Sequence, residues 1–339
     1  MALLSAGQLT LADYSKRLSP DGKIDPIAEL LSQQNHVLED VVWKEANQPT
    51  SHVVTIRTGL PAVYWRQYNQ GVPVSKSTTA QVTEPCAQME ARSHIDADLL
   101  ELNGNSASFR LSEESPFIEA MNQEMTGKLF NGNVGADQKT FSGLATRYSS
   151  TTAGNGQNVL LAGGVGADNA SMYLVVWGEQ TVFCPFPKGS KAGLSNQDLG
   201  VESVQDANGN YYQAARSLFK WKGGLVVKDW RYVVRIANID ISDWIGVVNT
   251  QAPTASTNLI KLMMRAIARI PNINMGRAAF YCNRSIEEGL MIQALEKSSN
   301  ALSVQKALTQ FGTDINQLTF MGIPVRGVDQ LGMAETLVA

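Results

Sequence analysis

Apolar and polar residues alternate along residues 87–99, where Ala, Met, Ile and Leu positions are separated by Gln, Glu, Arg, His and Asp. A period of two predicts a half-buried β-strand, because successive side chains of a strand point to opposite faces. The segment lies in a longer strand-like run, 81–102, that follows a first run at 52–68. Residues 87–99 alone would extend about 43 Å at ~3.3 Å per residue. The pattern predicts a long two-stranded ribbon whose faces rest on another surface, such as a second subunit.

A helical period follows the ribbon. Large apolar residues recur on one side of the predicted helix at Ile118, Met121, Met125 and Leu129. Ser115 can cap the helix, Pro116 suits its first position, and Gly132 can stop it. The pattern predicts a helix over 115–131 with a Met-rich core face.

The spacing of apolar residues in the rest of the chain predicts an α+β protein. The first 50 residues predict an extended arm with short helices, one of them over Ile24–Leu38. Asn208-Gly209 predicts a hairpin turn between Val201–Gln205 and Tyr211–Trp221. Further on, the patterns predict strands at Leu225–Ile236, Ala278–Cys282 and Leu318–Val328, and helices at Thr254–Ile270 and Ser285–Ser298.

Composition narrows the functional classes. With 339 residues, 44% of them hydrophobic, the chain is expected to fold and to bury about two cores. A formal net charge of -3 argues against a generally basic nucleic-acid binder and gives no hint of membrane attraction. There is no basic leader and no apolar run near ~18 residues, so a soluble protein made in the cytosol is expected. Three isolated cysteines argue against a disulfide framework.

One group of residues in the ribbon suggests metal chemistry. His94, Asp96 and Asp98 occupy every second position and would line one face of a strand, about 6.8 Å apart. Glu90 and Arg92 continue that face with mixed charge, which favours a solvated or intersubunit face over a metal site. The sequence contains no dinucleotide-binding, P-loop, G-x-S-x-G or H-E-x-x-H motif. Neither a catalytic residue nor a cofactor is predicted.

A basic stripe follows one side of the helix predicted at Thr254–Ile270. Lys261, Arg265 and Arg269 are spaced four residues apart and therefore share a face. The stripe is typical of a solvated helix face. Pairing with acidic groups of a neighbouring subunit and contact with a polyanion at the inner face of an assembly stay open.

Several sequence blocks occur together in one order. They are KLFNGNVGADQKTFSGLATRYSS (128–150), MYLVVWGEQTV, FPKGSKAGLSNQDLG, WKGGLVVKDWRYVVRIANIDIS and FMGIPVRGVD. Over roughly 110–330 the chain resembles the major capsid protein of short-tailed bacteriophages. The resemblance implies the tailed-phage and herpesvirus capsid fold, which has an N-terminal arm, an extended β loop, a spine helix with a peripheral sheet, and an axial domain. Some relatives have a rearranged strand order.

The resemblance also implies a division of the chain and a set of partners. The expected parts are the arm (1–50), the extended loop (51–105), the spine helix and start of the peripheral domain (106–150), a β-rich axial or peripheral region (151–250), and an α/β region completing both domains (251–339). The chain would form hexamers and pentamers with itself, using a separate scaffolding protein and a portal. It would contact packaged DNA without sequence specificity and could bind a cement or decoration protein. Assembly in the host cytoplasm would place it in the virion, with no role for a membrane.

Eight residues of the ribbon are the expected subunit contacts. They are Tyr64, Trp65, Arg66, Lys76, Glu90, Arg92, Asp96 and Asp98. The function expected from the resemblance is self-assembly into an icosahedral shell around phage DNA, without enzymatic activity. Two other classes stay open, namely a tail or decoration protein and a metal-dependent hydrolase that uses His94, Asp96 and Asp98.

Overall fold

Helices and strands are mixed throughout the computed structural model, which describes residues 9, 11–17, 31–33, 35–102, 106–206, 208–244, 259–295, 302–308 and 314–339. The helices are α1 (Leu11–Ser15), α2 (Val37–Asp40), α3 (Ala97–Glu101), α4 (Ser106–Asn131), α5 (Leu144–Arg147), α6 (Leu259–Arg269) and α7 (Arg284–Leu295). The strands are β1 (Trp43–Glu45), β2 (Ser51–Gly59), β3 (Thr78–Pro85), β4 (Ala87–Asp96), β5 (Val159–Leu161), β6 (Asn169–Trp177), β7 (Val182–Phe186), β8 (Leu194–Gln205), β9 (Tyr211–Gly223), β10 (Val226–Val227), β11 (Val233–Asp240), β12 (Arg277–Cys282), β13 (Leu302–Leu308), β14 (Asp314–Phe320) and β15 (Ile323–Gly327). No helix in these ranges is long and apolar enough to cross a bilayer.

The chain divides into two compact units that are interleaved along the sequence. The smaller unit comprises Met1–Gln34, Gln88–Thr126 and Gly193–Lys222, and the larger unit comprises Asn35–Ala87, Gly127–Ala192 and Gly223–Ala339. The chain therefore passes from one unit to the other after positions 34, 87, 126, 192 and 222.

A broad mixed sheet organises the larger unit. Within the described residues it has ten strands, and its longest path runs β1-β7-β6-β12-β15-β14-β13. Strand β11 pairs antiparallel with β6 and parallel with β5. All nine residues of β6, NASMYLVVW, are buried. Its residues 172–177, MYLVVW, form a continuous apolar run, which is expected where a strand is covered on both faces.

Helices α6 and α7 pack on one face of this sheet. Met263 of α6 and Ile286 of α7 belong to the same buried cluster as Met172, Phe280 and Val325 of the strands. Burying a side chain of this size contributes roughly 1.5–3 kcal/mol. On the opposite face, the end of α4 places an aromatic ring against two tyrosines of the sheet.

A three-stranded sheet in the order β4-β9-β8 forms the smaller unit together with the first part of α4. Phe117 of α4 stacks on Phe219 of β9, with ring centroids 5.6 Å apart. Phe109 is fully buried with Ile95 and Tyr14 in a separate small core. The predicted hairpin at Asn208-Gly209 is confirmed, because β8 and β9 pair antiparallel around that turn.

The long ribbon predicted from the sequence is wrong in its second half. Strand β2 pairs with β3 and ends at Gly59, so residues 60–68 lie outside the ladder. The run 81–102 is divided into β3, β4 and α3, and β4 belongs to the sheet of β8 and β9. The alternation of apolar and polar residues along β4 is confirmed, but its partner is a strand much later in the chain.

Other predictions have mixed outcomes. The strand at Ala278–Cys282 and the helix at Ser285–Ser298 are confirmed within the described residues. The strand predicted at Leu225–Ile236 is two strands separated by a 3-10 turn, and Leu318–Val328 is a hairpin that turns at 321–322. The helix predicted at Thr254–Ile270 is confirmed over its described part as α6 (Leu259–Arg269), whereas 254–258 lies outside the described residues. The helix predicted at Ile24–Leu38 is wrong where the structure describes it, because 31–33 and 35 are not helical and α2 begins only at Val37. Residues 24–30 and 34 lie outside the described residues.

Candidate assembly surfaces

Residues 60–77, here called the apolar loop, connect β2 to β3 and carry many exposed apolar side chains. Trp65 is fully exposed, and Tyr68 and Val63 are more than nine-tenths exposed. The exposed large apolar side chains of the loop are Leu60, Val63, Tyr64, Trp65, Tyr68, Val72 and Val74. A segment that exposes this many large apolar side chains is typical of a protein interaction site, because leaving them in water costs free energy.

The apolar loop departs from the β2–β3 ladder for local reasons. Pro61 and Pro73 lack backbone N–H donors, so neither can extend the ladder fully. Asn69 has φ 67°, in the left-handed region that Asn tolerates, and the chain turns there. The Ser75 hydroxyl donates to the carbonyl of Ala62 at 2.8 Å and holds the two limbs of the loop together.

Four of the predicted contact residues lie in the apolar loop. Tyr64 and Trp65 contribute aromatic surface, and Arg66 and Lys76 contribute exposed positive charge. Arg66 donates to the carbonyl of Gln70 at 3.3 Å. Neither cation forms an ion pair with another residue in the described part of the chain. Their roles as subunit contacts stay predictions.

The charged face of β4 is paired within the smaller unit. Lys220 lies 3.3 Å from a carboxylate oxygen of Glu90, and Arg92 lies 3.9 Å from the other. The hydrogen bond from Lys220 lowers the pKa of Glu90. Arg216 donates to Nε2 of His94 at 3.3 Å. Partial burial, followed by the charges of Arg216 and Arg92, lowers the pKa of His94. This face is therefore a network of ion pairs and hydrogen bonds within the smaller unit.

The two aspartates that follow do not extend this face as the sequence suggested. Asp96 caps α3 by accepting the backbone N–H of Asp98 at 2.9 Å. Asp98 lies inside that helix, so the prediction that it shares a strand face with His94 is wrong. Among the described residues, no group of three or more His, Cys, Asp or Glu side chains is arranged to hold a metal ion.

The basic stripe lies on α6 in the larger unit. Lys261 and Arg265 are exposed, and Arg269 is partly buried. Burial, followed by the nearby charge of Arg265, lowers the pKa of Arg269. In the described part of the chain, neither arginine has an acidic partner within ion-pair distance.

Sequence reasoning missed part of the candidate surface. The segment QGVPVSKSTTA at the loop tip is rich in polar residues, yet Val72 and Val74 lie within it and are exposed. The signal available in the sequence was that apolar residues lie between prolines and a glycine, which disfavour a regular strand. The ion pair of Glu84 with Arg147 was also missed, because 63 positions separate its partners.

Comparison with known proteins adds the family. Residues 19–339 match the family described as major capsid protein GP7. The chain belongs to the major capsid protein GP7 family. Among curated proteins, no significant match is found. As a GP7-family capsid protein, the chain is a structural component of a phage capsid shell and associates with copies of itself. Membership decides against the tail and decoration alternatives.

Two solved structures resemble this GP7-family chain. The cryo-EM structure of bacteriophage Epsilon15 is 26% identical, with a TM-score of 0.73 and 100% of both chains covered. The bacteriophage JBD30 capsid is 8% identical, with a TM-score of 0.50 and coverage of 90% of this chain and 93% of that chain. The tailed-phage capsid fold expected from the sequence blocks is confirmed.

Proposed function

We propose that copies of this GP7-family chain join head-to-tail into the hexamers and pentamers of an icosahedral shell around phage DNA, with the apolar loop lying against a neighbouring copy. The exposure of the loop's large apolar side chains carries the proposal. Head-to-tail contacts close into rings when the rotation between copies closes. A loop that projects exposed aromatic rings from a paired stem suits such a contact.

The apolar loop offers a contact of moderate strength. Burial of one Tyr or Trp ring removes roughly 150–250 Å² from water, which at about 25 cal/mol per Å² corresponds to about 4–6 kcal/mol. Association of two proteins costs about 4–15 kcal/mol in lost freedom of motion. Burial of one ring alone therefore offsets this cost only in part, and the other apolar side chains of the loop, together with repetition around a shell, supply the rest.

The other surfaces have secondary roles in this proposal. Glu90, Arg92, Asp96 and Asp98 would make intersubunit contacts at the rim, where paired surface charges contribute specificity more than affinity. Lys261, Arg265 and Arg269 would face acidic groups of a neighbour or packaged DNA, which the shell contacts without sequence specificity. These charged surfaces are compatible with a structural, non-enzymatic protein.

The wider assembly follows the same plan. The parts would be the arm (1–50), the extended loop (51–105), the spine helix and peripheral start (106–150), the β-rich region (151–250) and the completing α/β region (251–339). A separate scaffolding protein and a portal would take part in the host cytoplasm, and a cement or decoration protein could bind the finished shell.

Substitution in the apolar loop tests the proposal. Trp65→Ser combined with Tyr68→Ser removes two exposed rings and no buried contact, so the subunit should fold normally and lose shell formation. Electron microscopy and sedimentation of chains expressed with the phage's scaffolding protein would measure the shells. Circular dichroism and the Tm would verify the fold.

Tyr211→Ser provides a matched control, because Tyr211 is an exposed aromatic residue on β9 and does not belong to the loop. This variant should assemble like the unaltered chain. Shells at full yield from the Trp65→Ser, Tyr68→Ser chain would show that the loop is not the assembly contact.

A further inference from the structure

The hairpin that carries the apolar loop is fixed at its root by a buried ion pair. Glu84, near the end of β3, is 7% exposed. Arg147, at the end of α5, donates two parallel hydrogen bonds to it, at 2.6 Å to Oε1 and 2.5 Å to Oε2. Two-pronged pairing of a guanidinium with a carboxylate fixes direction as well as distance. The root of the hairpin therefore has a defined orientation on the body of the larger unit.

Arg147 is itself held from several sides. Its Nη2 also donates to the carbonyl of Leu225 at 3.1 Å, and its Nε donates to the carbonyl of Ser142 at 3.1 Å. The Asn155 side chain donates to the Arg147 carbonyl at 2.8 Å. A guanidinium with these bonds has little freedom to follow a moving hairpin, so it acts as a fixed point.

Packing around the root supports the same orientation. Val54 of β2 lies in a small apolar core with Phe183 and Val226. Gly224 approaches the hairpin so closely that a Cβ there would lie 2.7 Å from the carbonyl oxygen of Pro85. The root is thus held by a buried charge pair, an apolar core and a close backbone contact.

Beyond the root, these restraints weaken along the stem, although Ile56 of β2 still packs against the small apolar core. Every residue of β3 from Thr78 to Thr83 is exposed, whereas Glu84 is buried. The apolar loop is therefore carried on a two-stranded stem that is anchored at one end only. A small rotation at Glu84 would displace Trp65, at the far end of the stem, by a larger distance.

We propose that Glu84 and Arg147 are positioning residues for assembly, which set the direction in which the apolar loop is presented before a second copy binds. This inference rests on the proposed function of the loop. A loop that already points in the bound direction loses less conformational freedom on association. Weakening the pair should slow association even where the subunit stays folded.

Arg147→Lys is the sharpest variant, because it keeps the charge and loses the two-pronged geometry. Spin labels at Lys76→Cys and Lys139→Cys, with Cys86→Ser, would report the distance between loop and body in unassembled subunits. The distance distribution should broaden in Arg147→Lys. Shell formation, followed by light scattering at equal concentrations of folded subunit, should slow by about tenfold, as expected for a modest loss of preorganisation.

Two further variants keep the test decisive. Arg231→Lys is the matched control, since Arg231 forms an exposed ion pair with Asp229 in the same unit, and neither readout should change. Glu84→Gln should broaden the distribution like Arg147→Lys. An unchanged distribution in both variants of the pair, or assembly at the unaltered rate despite broadening, would overturn the inference.

The two proposals can fail separately. If the Trp65→Ser, Tyr68→Ser chain forms normal shells, the apolar loop is not the contact, whatever the spin labels report. If that chain fails to assemble while Arg147→Lys keeps a narrow distribution, the loop is the contact and something other than this pair directs it.

Discussion

Arg235 shows how the fold accommodates a buried charge at the scale of single residues. It is 4% exposed and lies on the central sheet. Its guanidinium donates to the carboxylate of Glu335 at 2.8 Å, to the hydroxyl of Ser171 at 3.0 Å, and to the carbonyls of Tyr148 and Ala145 at 2.9 Å and 3.2 Å. Because burial removes the charge of Arg235 from water, the folded state tolerates this charge only with the complete set of hydrogen-bond partners.

Removing the acidic partner should be costly. Glu335→Ala leaves Arg235 buried without a counter-charge, and we expect the free energy of unfolding to fall by about 3–5 kcal/mol. Urea denaturation would measure it. Arg231→Ala removes one member of an exposed pair and should change the same quantity by less than about 1 kcal/mol. Similar losses in the two variants would contradict this account.

Glu287 on α7 should make stability depend on pH. Burial raises its pKa, although the charges of His36 and Arg284 oppose the shift. A carboxyl whose folded pKa is raised supports the fold below its ordinary pKa of 4.5 and loses that contribution as pH rises through the folded value. Glu287→Gln should therefore raise the Tm at pH 7 and give no gain at pH 4.

Differential scanning calorimetry at both pH values would measure this difference. Glu288→Gln is the control, because Glu288 is the neighbouring, exposed glutamate of the same helix. A gain from Glu287→Gln that is equal at both pH values would exclude titration as its cause.

Helix α4 shows what local signals miss at the scale of an element. The core face is confirmed at Met121, Met125 and Leu129, whereas Ile118 is 45% exposed and its prediction is wrong. The stop at Gly132 is confirmed, but the helix begins at Ser106 instead of at the Ser115 cap. Phe109 is fully buried, and Arg110 donates to the carboxylate of Asp198 at 2.9 Å. Contacts with residues distant in sequence therefore continue the helix through a proline that normally begins one.

This arrangement predicts that Pro116 weakens the helix. A proline in a helix interior removes a hydrogen bond and costs ~3 kcal/mol relative to alanine. Because Pro116 is exposed, Pro116→Ala should raise the free energy of unfolding by about 1–3 kcal/mol, measured by urea denaturation.

Ser115→Ala distinguishes a helix that begins at Ser106 from one that is capped by Ser115. An interior, exposed Ser115 should tolerate alanine with a change below about 0.7 kcal/mol. Loss of a helix cap would instead lower stability by about 1 kcal/mol. A loss of that size, together with no gain from Pro116→Ala, would contradict the helix start at Ser106.

At the scale of the whole molecule, the local spacing of apolar residues predicted the helices and strands but not which strands pair with one another. The hairpin turn at Asn208-Gly209 and the strand β12 depend on neighbouring residues and were predicted. The partner of β4 is β9, more than a hundred positions later, and no local pattern encodes that choice. The exposure of Val72 and Val74 was missed for the same reason, since burial depends on what the rest of the chain supplies. The resemblance to a known family predicted the fold, because it compares the order of sequence blocks over most of the chain and not a single local pattern.

The interleaving of the two units limits how this gene can change by exchange of segments. Each unit is built from three separate stretches of sequence. A crossover that replaces one contiguous piece of coding DNA therefore transfers part of a unit and leaves the remainder to pack against foreign side chains. Since packed interiors tolerate such mismatches poorly, viable recombinants should exchange the two units together or vary by point substitution at exposed positions.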